Sequence, residues 1–77
     1  MEEISIKSYV KVLYEYKNEI KVVKGIIIKE EEFVRHIYGI YGLIEIGKKY
    51  IIQCKPLKED EMYNQIYDKI KDIINNE

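Results

Sequence analysis

Few residues in this chain are of a type that does chemistry. His36 is its one imidazole, Cys54 its one thiol, and Ser5 and Ser8 are the only hydroxyls outside tyrosine. Glu32 and His36 are four apart, a spacing that puts both on one face of a helix and could supply two metal ligands. Zinc usually takes three or four protein ligands, and no cysteine stands near them, so a solvated Glu–His pair is the better reading. The triplet Glu30-Glu31-Glu32 offers carboxylates for acid–base work. At the start of a helix, such a run ordinarily serves as a solvated partner of the helix dipole.

Nucleophilic catalysis has little to draw on. Both serines fall inside an extended run, with His36 the sole candidate base. Gly47-Lys48-Lys49 lacks the spaced glycines and the following Ser or Thr of a phosphate loop, and it joins two strands where such a loop opens a helix. Cys54 lies in the apolar run Tyr50–Cys54, where a free cysteine behaves as a small buried hydrophobe. A single cysteine forms no intramolecular disulfide. These residues predict no enzyme, no cofactor and no metal.

The elements that would carry them begin with a long β-hairpin over Ile4–Lys29. Ile4, Ile6, Ser8, Val10, Val12, Tyr14 and Tyr16 alternate with Ser5, Lys7, Tyr9, Lys11, Leu13, Glu15 and Lys17, so the two sets face opposite sides of an extended chain. Pairing Tyr16 with Ile20 around Lys17-Asn18-Glu19 brings Ile20, Val22, Ile26 and Ile28 beneath the first strand's apolar side. The same register sets Glu15 opposite Lys21. A one-residue shift would move those four residues to the lysine side. Gly25, next to the out-of-pattern Lys24, marks a candidate bulge.

After Glu30-Glu31-Glu32, the offsets of Phe33, Val34, Ile37, Tyr38 and Tyr41 predict a helix over 30–41, stopped by Gly42. Leu43–Ile46 and Tyr50–Lys55 read as two strands paired in a second hairpin through Gly47-Lys48-Lys49, with Pro56 closing the second. Met62, Ile66, Ile70, Ile73 and Ile74 share a face, which predicts a final helix from about 58 to 75. The expected fold class is α+β: one small domain over 1–77 in ββαββα order, with a four-stranded, largely antiparallel sheet and two helices on the face carrying Ile4, Val10, Val12 and Tyr14. The competing arrangement puts one helix on each side.

The other side of that hairpin would bear Tyr9, Leu13, Val23 and Ile27, bordered by Lys7, Lys11, Lys21 and Lys29. An apolar strip with a basic rim must be covered by something. The expected site is therefore a partner-binding face made of Lys7, Tyr9, Lys11, Leu13, Val23, Ile27 and Lys29. A helix of the same chain is the other way to cover it. The alternative function is nucleic-acid binding, with bases stacked on Tyr9 and lysines on phosphates.

Composition sets the remaining bounds. Seventy-seven residues form one domain. Sixteen isoleucines and eight tyrosines, with no Ala, Thr or Trp, fit an AT-rich coding sequence, and the Glu and Lys enrichment also fits heat adaptation. The net charge of −1 neither recruits nor excludes nucleic acid. Residues 59–77 hold six acids against two lysines, while 43–58 hold four lysines against one glutamate. This layout fits a protein-binding surface or head-to-tail self-association. The acidic start, Met1-Glu2-Glu3, is unlike a signal peptide, and no apolar run reaches the length of a membrane span. The reading is a small cytoplasmic accessory protein, virus- or mobile-element-encoded and in the host cytoplasm in the viral case. It would be a regulatory or inhibitory protein-interaction domain that binds a protein partner, itself included as a homodimer, with no membrane role.

Overall fold

A computed structural model describes residues 7–75; the expectations for Ile4, Ser5 and Ile6 lie outside them. Five strands, β1 (Tyr9–Tyr16), β2 (Glu19–Glu30), β3 (Val34–Gly39), β4 (Gly42–Gly47) and β5 (Ile51–Pro56), precede one helix, α1 (Glu61–Asn75). A single 3₁₀ turn, Lys48–Tyr50, joins β4 to β5. The strands are antiparallel in the order β4-β3-β2-β1-β5. This overturns the expectation of four strands and two helices within the α+β class.

The segment expected to be a helix over 30–41 is instead the end of β2, a short loop and β3, followed by the turn into β4. β3 sends an apolar residue to each core, Ile37 to one and Tyr38 to the other, so its apolar residues do not alternate and their spacing imitates a helix. Gly39 and Gly42 face each other across the Ile40-Tyr41 turn, and Gly42 has φ +122, open to a residue without Cβ. Gly42 therefore belongs to a hairpin and does not stop a helix.

The first hairpin forms, but one residue out of the expected register. Lys17 and Asn18 both have positive φ, 51 and 66, the conformation of a two-residue type I′ turn. Tyr16 therefore pairs with Glu19, Leu13 with Val22, and Tyr14 with Lys21. Glu15 lies opposite Ile20, and Lys21 pairs instead with Glu19 at 3.3 Å. The bulge in β2 falls between Ile27 and Lys29, not at Gly25.

β4 and β5 were expected to pair with each other, yet they occupy opposite edges of the sheet. Four interstrand spacings of a flat sheet would separate them by about 19 Å. The turn between them spans at most about 14 Å, so the sheet must curl. Its concave side holds one core of Val10, Val12, Ile27, Ile37 and Ile46, with Ile51 and Cys54 packed on it. Burial pushes the Cys54 thiol pKa up, in keeping with an inert side chain. At the rim of this core Arg35 donates to Glu30, and Lys48 reaches the same carboxylate at 3.5 Å. Partial burial acts to raise the Glu30 pKa, but Arg35 and Lys48 outweigh it and hold the carboxyl below its ordinary value.

The convex side carries the second core. Tyr9 and Ile26 are buried beneath Ile66 and Ile70 of α1, with Tyr38, Leu57 and Tyr63 around them. The helix thus covers the side opposite the one expected, and Val10 and Val12 line the concave core instead. α1 starts where it does because the Asp60 carboxylate accepts the Tyr63 backbone N–H at 2.9 Å, an N-cap bond. The same carboxylate accepts the Tyr9 hydroxyl at 3.0 Å, tying the helix start to β1.

Candidate protein interface

Register decides which side chains meet on the convex face, because alternate residues of a strand share a side. Tyr9 and Ile26 form the row under α1. One step along, Lys11 faces Lys24 on β2 and Lys55 on β5. The row after that sets Leu13 between Val22 and Gln53, and the last pairs Glu15 with Ile20. α1 covers the first row and leaves Lys24, Lys55, Val22 and Ile20 exposed, with Lys11 and Leu13 half-buried. Val22 is 56% and Ile20 59% exposed, large values for β-branched residues inside a strand.

Three lysines facing one another across adjacent strands repel. Among the described residues, no ion pair engages Lys11, Lys24 or Lys55. Lys24 does help the Tyr63 N–H and the Tyr9 hydroxyl hold Asp60 below the ordinary carboxylate range. The bare face is therefore a basic row beside an apolar one.

β2 also runs past β3, whose pairing with it begins at Gly25↔Gly39. Beside this overhang lies a groove of about 300 Å3 whose lining includes Val22, Lys24, Ile40, Tyr41, Met62 and the expected site residue Val23. Tyr41 stands fully exposed at its edge. A smaller hollow of about 230 Å3 lies by Phe33, Gly47 and Lys48, where Phe33 is exposed.

Of the residues expected at the partner-binding face, the structure brings Lys11 and Leu13 together there. Tyr9 is 4% exposed, its ring edge-on to Tyr63 at 5.4 Å. Its stacking face is closed to a nucleic-acid base. Val23 and Ile27 lie on the concave side, Ile27 fully buried. Lys7 is exposed ahead of β1, and Lys29 is exposed and paired with Glu31 at 3.2 Å. Val22, Lys24, Ile20 and Lys55 were missed. A two-residue turn at Lys17-Asn18 would have put the first three beside Lys11 and Leu13; Lys55 required knowing that β5 adds to β1.

His36, the other chemical candidate, stands between two carboxylates, with Nδ1 3.4 Å from Glu45 and Nε2 3.6 Å from Glu31, and Glu32 is not its neighbour. Among the described residues no group of three or more His, Cys, Asp and Glu side chains is arranged to hold a metal ion, and no helix is long and apolar enough to cross a membrane. The chain matches no protein-family model, no curated protein and no solved structure.

Proposed function

We propose that this chain is a non-catalytic protein-binding domain, regulatory or inhibitory in effect, that meets its partner through the part of the convex face left bare by α1. The observation that supports this is the pairing of a lysine row without a salt bridge among the described residues, Lys24–Lys11–Lys55, with the apolar row of Leu13 and Val22. Exposed apolar surface of this kind marks contact sites, and the basic row selects an acidic partner. A nucleic-acid partner would be expected to stack its bases on rings among the phosphate contacts; Tyr9, the ring within these rows, is sealed beneath the helix, and the exposed Tyr41 stands outside them at the groove edge.

A photo-crosslinking residue at Val22 tests the reading. In an extract of the native host it is expected to form a protein adduct that disappears when Leu13→Glu is added. The same residue at Glu32, exposed on the β2–β3 loop, should form none. Leu13→Glu itself should keep the fold by circular dichroism and cost about 1 kcal/mol, the ordinary size of a point substitution, because Leu13 is half-buried and not part of either core. Adducts to nucleic acid, or protein adducts indifferent to Leu13→Glu, contradict it.

A further inference from the structure

The outer side of α1 carries the chemistry the lysine row lacks. Glu61, Gln65, Asp68 and Asp72 follow one another at intervals of four, three and four residues, which stacks them in one stripe along a helix. All four are exposed, and by helical geometry they lie opposite Ile66 and Ile70, the residues seated on the sheet. Among the described residues, none of the three carboxylates has an ion pair. One face of the molecule therefore presents an unpaired acidic ridge beside an unpaired basic row.

On the basis of the function proposed above, we propose that the acidic partner of the bare face is a second copy of this chain, bound about a two-fold axis with the convex faces opposed. Each α1 lies beside its own lysine row, so facing two copies lays the ridge of one over the row of the other. The exchange happens twice, once in each direction, and closes the pair. The product is a sandwich of sheet, two helices and sheet, an isologous dimer that leaves no further copy to recruit. Closure neutralises Lys11, Lys24 and Lys55 with Glu61, Asp68 and Asp72 of the other subunit, and withdraws Val22 and Ile20 from water. A single copy cannot do this, because its ridge points away from its own sheet.

Sedimentation equilibrium of the purified chain, up to about 1 mM, is expected to show a monomer–dimer equilibrium that weakens with added salt. Lys11→Glu/Lys24→Glu/Lys55→Glu should reduce self-association about a hundredfold. So should Glu61→Lys/Asp68→Lys/Asp72→Lys, with circular dichroism confirming the fold of each. Mixing the two variants should restore a dimer, since each then offers the charge its partner needs at both contacts. Should the lysine variant fail to fold, the helix variant alone decides by its loss of association. A strict monomer, a dimer indifferent to these reversals, or a mixture of folded variants that stays monomeric overturns the proposal. A purified monomer whose Val22 crosslink to protein persists in extract removes the second copy and keeps the binding face; loss of both removes the face itself.

Discussion

Replacing Gly25 with alanine is expected to remove about 3 kcal/mol of stability, a cost typical of forcing atoms into a filled core. A Cβ at that position would lie 2.6 Å from the Tyr38 carbonyl oxygen and 2.7 Å from Ile37 Cγ2. The carbonyl is backbone within the β2–β3 ladder, so relief requires moving a strand. Gly25 pairs with Val10 on one side and Gly39 on the other, which places the damage where the curled sheet draws β2 and β3 together. Gly39→Ala is the natural control: its Cβ would meet the Lys24 carbonyl oxygen at 3.3 Å, a contact relieved by a shift of a few tenths of an ångström. For a domain holding about 5–15 kcal/mol in total, the first change brings the fold near its limit and the second does not. Urea titration should show a lower midpoint for Gly25→Ala at an unchanged slope. Equal costs for the two substitutions would mean the close approach at Gly25 is misplaced.

Alkaline solution should destabilise the fold through Tyr9. Burial, with the hydrogen bond to Asp60 and that residue's charge, pushes the Tyr9 pKa from 10.0 up to about 12. The folded state therefore holds the phenol proton more tightly than the unfolded chain does. Its contribution is fully present below pH 10 and is lost as pH rises through about 12, a change of about 2–3 kcal/mol for a shift of this size. Tyr9→Phe has no proton to lose, so the stability difference between the parent and this variant should shrink across that interval. The helix start is where the loss acts, because the phenol joins β1 to Asp60 and the same carboxylate caps α1. Parallel pH profiles for the two proteins in chemical denaturation would contradict the buried, Asp60-bonded phenol.

What the sequence made legible followed from single elements, and what it hid followed from how they meet. Alternation of Val10 and Val12 with lysine identified β1, and helical spacing of Met62, Ile66 and Ile70 identified α1, which buries one side against the sheet. β3 escaped because Ile37 enters the concave core while the adjacent Tyr38 packs on the convex one, and the adjacent Arg35 and His36 fall one on each face, so polar and apolar residues do not alternate. The register failed at Lys17-Asn18, which adopts positive φ without the Asn-Gly or Asp-Gly pair that usually announces it. That one-residue slip carried Val23 and Ile27 to the convex side of the expected site and left out Val22 and Lys24. The placement of β5 beside β1 rests on pairing distant in sequence, invisible to any local pattern. Lys11 and Leu13 survive in the candidate face because their place depends on β1 alone.

The claim that the bare convex rows are where this chain meets a protein is tested most directly by amide chemical shifts. A series of ¹⁵N-correlation spectra recorded from dilute to concentrated chain should show changes confined to Lys11, Leu13, Val22, Lys24 and Lys55 and to the outer ridge of α1 at Glu61, Asp68 and Asp72. Shifts gathered instead around Phe33, Lys48 and Lys49, or spectra unchanged with concentration and with added host extract, would contradict the account.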